Sequence, residues 1–198
     1  MSLKKKGYHH KNLRQALLVM TSRIIAEEGL DKLTLRELAS RLGVSRTAPY
    51  RHFKDKPDLL AAVAEEKLQG LNQGLLAAFE APTPMEQLRV MATAYLDFGV
   101  SHFDLYRLMF NDEFKNAEKF PNLAETWDET FSIMAQIVLS CRAAGYIKEA
   151  DPNWLDYTAW SLLHGLIELY KEGKFVTVDN KDHFYTFAFE SLMHGLKA

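Results

Sequence analysis

Thr34-Leu35-Arg36-Glu37-Leu38-Ala39-Ser40-Arg41-Leu42-Gly43-Val44-Ser45-Arg46-Thr47-Ala48-Pro49-Tyr50-Arg51-His52-Phe53 decides how this chain is read. Thr34 stands three residues before Glu37, the spacing of a capping box, in which a hydroxyl accepts the amide of the third helical residue. Leu35, Leu38, Ala39 and Leu42 then repeat at three and four residues, which predicts a short helix with one apolar face. Gly43 can take the left-handed backbone that ends it. Ser45 is expected to cap a third helix, with Pro49 within its first turn or just beyond, where a missing amide is tolerated. Two short helices around a Gly-containing turn form a helix-turn-helix. Its second helix would present Arg46, Thr47, Tyr50 and Arg51 outward, a shape that fits a DNA major groove. Arg46 can donate twice to a guanine, and Thr47 can meet a base edge or a thymine methyl. Ser45, Tyr50 and Lys56 suit phosphate oxygens, and Thr34 and Arg36 complete the assigned surface.

Charge follows the same division. Residues 1–56 carry 13 Lys or Arg against 5 Asp or Glu, a balance of +8, and residues 57–198 carry −10. A basic head on an acidic body points to a polyanion partner for the head. Lys4, Lys5 and Lys6 read as an arm for the DNA backbone or minor groove, or as a solvated tail. Residues 1–56 are therefore assigned to DNA binding and residues 57–198 to a second, larger domain.

The rest of the chain reads as helix nearly everywhere. A helix is expected over 11–28, ending at Gly29, and a long one from Pro57, with Leu59, Leu60, Val63, Leu68, Leu71 and Leu75 apolar. Ala81-Pro82-Thr83-Pro84 breaks the pattern, and further helices are expected near 84–101, 104–111, 120–144, 152–172 and 181–196. The one strand-like run, Phe175-Val176-Thr177-Val178, is too short and isolated to make a sheet. The fold class is all-α: a three-helix DNA-binding domain plus a larger helical bundle. One cysteine, Cys141, excludes an internal disulfide, and no run approaches the roughly 20 apolar residues of a membrane span. The basic start leads into Gly7-Tyr8-His9-His10 where a signal peptide needs an apolar stretch, so the expected location is the cytoplasm.

Residues 9–64 resemble the N-terminal domain of TetR-family transcriptional regulators. The matching stretches are His9-His10-Lys11-Asn12-Leu13-Arg14, Thr34 to Ala39, Gly43-Val44-Ser45, Tyr50 to Lys56 and Leu59-Leu60. The resemblance implies phosphate contacts from Tyr50, Lys56 and Thr34, and Phe53 in the domain core. It also implies a homodimer on a near-palindromic double-stranded operator, with a small-molecule effector that usually relieves repression.

The C-terminal body is rich in aromatic residues and methionine, most of which a helical domain buries. A pocket for a small apolar or aromatic effector is assigned to Phe98, Phe103, Tyr106, Met109, Trp127, Phe131, Met134 and Trp160, with His164 as a hydrogen-bonding group. Ala159-Trp160-Ser161-Leu162-Leu163-His164-Gly165-Leu166 resembles a Trp-X-X-X-His-Gly signature of one TetR subgroup. Trp160 and His164 share a helical face. Gly165 inside a helix costs roughly 1 kcal/mol against alanine, which close approach of another helix would justify. Leu155, Leu162, Leu166, Leu169, Phe184, Phe187, Ala188 and Leu192 give the last two helices apolar faces, and the resemblance places a four-helix dimer interface there.

No catalytic or metal-binding constellation, cofactor motif or Gly-rich phosphate loop is present in the sequence, so an enzyme is not expected. Two rival readings remain: a DNA-binding dimer with no effector, and a helical carrier or enzyme whose helix-turn-helix is only structural.

Overall fold

A computed structural model describes residues 13–110, 114, 116–148, 150–174 and 181–196. The basic arm, the His9-His10 stretch and Phe175-Val178 lie outside the described residues. Eight α-helices are described: α1 (Leu13–Glu28), α2 (Leu35–Arg41), α3 (Lys56–Ala77), α4 (Pro84–Ser101), α5 (Phe103–Met109), α6 (Pro121–Ala143), α7 (Pro152–Lys171) and α8 (Lys181–Leu196). The fold is all-helical, with no strand among the described residues. Single 3-10 turns at Leu30–Lys32, Pro49–Arg51 and Ala78–Glu80 interrupt the series. Two compact units divide the chain, Met1–Ala64 and Glu65–Ala198. Helix α3 begins in the first and ends in the second.

Local chemistry sets the ends of these helices. The Thr34 hydroxyl accepts the Glu37 amide at 3.1 Å. The Glu37 carboxylate does not complete a capping box but turns to Arg41 at 2.7 Å. Thr83 caps α4 in the same way, accepting from Glu86 N at 3.3 Å, and Pro84 occupies the first turn. Asp55 caps α3 through the Asp58 amide at 2.9 Å. Helix α2 ends at Gly43, whose φ is 66°. There Val44 N donates to Ala39 O and Gly43 N to Ser40 O, a Schellman closure. No atom stands within 4 Å of a Cβ built on Gly43, so a substitution there meets only backbone strain. Gly43→Ala should lower stability by about 1 kcal/mol, read as a fall in the urea midpoint at constant m-value.

In the first unit, Leu17, Leu18, Ile24, Leu33, Leu38, Ala39, Phe53 and Leu59 are buried around Thr21. Fully burying each large side chain contributes about 1.5–3 kcal/mol before conformational entropy is set against it.

In the second unit α4 is the central element, touching α5, α6, α7 and α8. Gly99 makes that possible: a Cβ placed on it would lie 2.3 Å from Ile167 Cδ1 on α7. A buried polar join ties α3 to α6. Asn72 donates to Glu129 Oε2 at 3.1 Å, and the Thr130 hydroxyl lies 2.7 Å from both Asn72 Oδ1 and the Thr126 carbonyl. Cys141 is a buried thiol facing the Pro84 carbonyl, and burial pushes its pKa up to about 11. No described helix is long and apolar enough to cross a membrane.

Candidate nucleic-acid interface and effector site

The segment assigned to DNA reading differs from expectation in one respect. Residues 45–53 do not form an α-helix: two turn residues lead into a 3-10 turn at Pro49–Arg51. The cause is Pro49 itself. As the fourth residue after Ser45 it has no N–H for the Ser45 carbonyl, and its ring would press on that carbonyl. The backbone therefore closes in i→i−3 steps: Ala48 N bonds Ser45 O at 2.9 Å and His52 N bonds Pro49 O at 3.0 Å. Ala48 and Pro49 are buried and anchor the segment.

From that anchor Ser45, Arg46, Thr47, Tyr50 and Arg51 are exposed, as are Thr34 and Arg36 at the start of α2. Ser45 Oγ and Thr47 Oγ1 are 3.2 Å apart, so these two hydroxyls support each other. Lys56 has a structural task that the sequence does not reveal: Nζ donates to the Leu30 carbonyl at 2.9 Å. An ammonium has three protons, so this bond leaves others for a phosphate. Arg41, although basic and close in sequence, is held by Glu28 and Glu37. Bonding to that guanidinium lowers the Glu28 carboxyl pKa. The buried Phe53 ring lies 5.5 Å from the Arg14 guanidinium.

In the second unit, five of the nine residues assigned to an effector pocket meet: Tyr106, Trp127, Phe131, Trp160 and His164. His164 lies between two phenols. The Tyr106 hydroxyl bonds Nδ1, and the Tyr95 hydroxyl is 3.4 Å from Nε2. Trp160 Nε1 donates to the Tyr95 hydroxyl at 3.1 Å. Phe110 stands edge-on to His164 at 4.6 Å and contacts Trp127 at 5.5 Å, while Trp127 stacks on Phe131 at 5.4 Å. Burial lowers the His164 pKa to about 4 and raises those of Tyr95 and Tyr106, so all three are neutral at pH 7. A cleft opens on this cluster between Tyr106, Phe110, Trp160, Ser161 and His164, and the Arg107–Glu168 ion pair at 3.6 Å stands at the same cleft.

The other four assigned residues lie differently. Phe98 turns edge-on to His102, and Phe103 sits under the Arg107 and Lys171 cations. Met109 is buried on α5, and Met134 is half-buried on α6. Tyr95 and Phe110 were missed. The i,i+4 spacing of Tyr106 and Phe110 was a usable signal, as was the need of a buried phenol for a partner.

The residues assigned to dimerisation also divide. Leu155, Leu166 and Ala188 are buried within the single chain, packing inside its own bundle. Leu162, Phe184 and Leu192 are half-buried. Leu169 and Phe187 are exposed, together with Trp154 and Tyr157, at 43, 68, 71 and 62%. A Cβ on Gly165 would meet nothing within 4 Å, so packing inside the chain does not explain this glycine.

No group of three or more His, Cys, Asp or Glu among the described residues could hold a metal ion. Residues 17–63 match the family described as bacterial regulatory proteins, tetR family, and residues 88–192 match the tetracyclin repressor-like C-terminal domain. The HTH-type transcriptional activator FasR of Mycolicibacterium smegmatis is 31% identical over 102 residues, covering 51% of this chain and 47% of that protein. The HTH-type transcriptional repressor Rv1474c of Mycobacterium tuberculosis is 28% identical over 122 residues, covering 62% of this chain and 60% of that protein. The chain thus spans about half the length of these curated relatives. A protein of unknown function from Rhodococcus sp. RHA1 superposes with a TM-score of 0.83 at 30% identity, covering 98% of this chain and 100% of that one. With both its units matched in order, the chain belongs to the tetR family of bacterial regulatory proteins.

Proposed function

We propose that this protein is a homodimeric transcription regulator that binds a near-palindromic operator and releases or grips it according to a small effector. The observation that carries the DNA-binding part is the exposed set Arg36, Arg46, Tyr50 and Arg51, presented from a well-buried bundle and a proline-locked turn. Base reading falls to Arg46 and Thr47, and phosphate contact to Thr34, Ser45, Tyr50, Arg51 and Lys56. The exposed rings Trp154, Tyr157 and Phe187 support pairing through α7 and α8, because an apolar surface of that kind is costly to leave in water. Gly165 suits the close approach of a second copy's helix.

The effector reading rests on the cleft over Trp160 and His164, the Trp-X-X-X-His-Gly element of the sequence. One observation favours the rival without an effector: both His164 ring nitrogens already face hydroxyls, so the cluster is satisfied from within. An effector would have to exchange one of those bonds for its own and shift the population of conformers by preferring one of them.

Operator fragments selected from random duplex DNA provide the test. Binding should fall steeply as salt rises. Arg46→Ala should flatten preference at one position of each half-site by about tenfold, whereas Lys56→Met should weaken all duplexes alike. A protein that ignores every duplex at low salt refutes the proposal. The carrier or enzyme reading would then stand.

A further inference from the structure

A cavity of about 170 Å³ lies in the second unit among α4, α7, α8 and the end of α6. It shares no residue with the cleft over Trp160 and His164. We propose that this chamber is a second binding site, for a compact, uncharged, apolar molecule of about benzene's size.

The chemistry of the wall carries the assignment. Leu88, Leu96, Leu163, Leu166, Phe189 and Met193 are representative of it. Polar side chains enter through five lining residues only: Arg89, Thr93, Asp182, Tyr185 and Thr186. Four of these are exposed and so form a rim; Tyr185 is buried. The Arg89 guanidinium is 5.5 Å from the Phe189 ring and roofs the apolar interior. A charged guest would find no buried counter-ion behind that rim, and a water molecule needs two to four polar partners where the buried side chains of the lining offer only Tyr185. An engineered leucine-lined cavity of about 150 Å³ in another protein takes up benzene, so the size and the lining both fit. The end of α8 that closes the chamber is held in place by Lys148. Its amide donates to Leu196 O at 2.8 Å, and its Nζ donates to Gly195 O at 2.7 Å.

The two sites use different sides of one helix. Trp160 and His164 face the aromatic cluster, while Leu155, Ala159, Leu162, Leu163 and Leu166 face the chamber. The Gly99–Ile167 approach packs α7 closely against α4.

Benzene is the probe, added to the full chain labelled with ¹³C-methyl methionine. Met91 and Met193 line the chamber, and Met109 and Met134 do not. Saturable shifts at Met91 and Met193 are expected, with Met109 and Met134 unmoved. Ala159→Leu fills the space and should weaken the response by roughly tenfold or more, whereas His164→Phe should keep it. If Ala159→Leu fails to fold, Leu192→Phe narrows the chamber from α8 with the same expectation. No saturable response in the wild-type chain up to the solubility of benzene would overturn the proposal. So would a response confined to Met109 and Met134, or one that survives the filling substitutions. None of these readings involves DNA, so they stand or fall apart from the operator experiment.

Discussion

Gly99→Val should cost the protein about 3 kcal/mol. Helix propensity works in the opposite direction, because replacing a mid-helix glycine gains up to about 1 kcal/mol. Sterics decide the sign. A Cβ at position 99 would lie 2.3 Å from Ile167 Cδ1, 2.9 Å from Cγ1 and 3.1 Å from Cγ2, so the whole branch is struck and not only its tip. Ile167 is fully buried, so its displacement must be taken up by the surrounding core. Chemical denaturation at fixed protein concentration gives the loss. A double-mutant cycle identifies its cause: Gly99→Val with Ile167→Ala should cost less than the sum of the two singles by 1 kcal/mol or more. Strict additivity would mean that the close approach of α4 and α7 is not the source.

Acid should expose the His164 site next. The imidazole is neutral in the folded protein down to a pKa of about 4, against 6.5 in an unfolded chain, and burial is the cause. Tyr95 on α4 and Tyr106 on α5 face it, both neutral with raised pKa values, and the nearby Arg107–Glu168 pair offsets its own charge. A depressed histidine pKa means that the unfolded state takes up the proton first. Stability is therefore unaffected above pH 6.5, falls as pH drops from 6.5 towards 4, and levels off below. With solvent screening at this half-buried ring allowed for, the loss is about 2 kcal/mol. His102 adds to it in the same direction, its pKa lowered by burial first and by the Lys67 charge second. Glu28, whose carboxyl is lowered by Arg41, contributes only below about pH 4.5. Melting curves of the wild type and His164→Gln from pH 7 to 5 isolate the histidine. The substitution should flatten the profile, and an unchanged slope would remove His164 as its source.

The helix boundaries were legible because their causes are local. Thr34 and Thr83 are caps, Pro84 and Pro121 open helices, and Gly43, Gly145 and Gly173 all sit at positive φ where helices stop. The third element of the motif, expected as a helix capped by Ser45 with Pro49 within its first turn or just beyond, is a 3-10 turn instead, because a proline four residues after Ser45 cannot bond the Ser45 carbonyl. The aromatic cluster around His164 was half legible. Trp160 and His164 announce themselves by their spacing on one helix. The break at His102 between α4 and α5 sets which way Phe98 and Phe103 turn, and that depends on tertiary contacts. The aliphatic chamber left no trace in the sequence. Leucines spread over α4, α7 and α8 look like ordinary core until the packing of those helices leaves a space between them.

Under the proposed function, the proline-locked turn at residues 49–51 limits how long an address one copy of the protein can read. In the proposed mode a segment so short offers the bases only a few side chains, chiefly those at 46 and 47, while a bacterial chromosome offers about 10⁶ or more competing positions. One such reader would not name a single promoter; the proposed pair, reading the same word about a two-fold axis, would multiply its selectivity. The same brevity makes the protein easy to readdress. On that reading, two or three exchanges at exposed positions of this turn, leaving the buried core untouched, should change the operator it prefers.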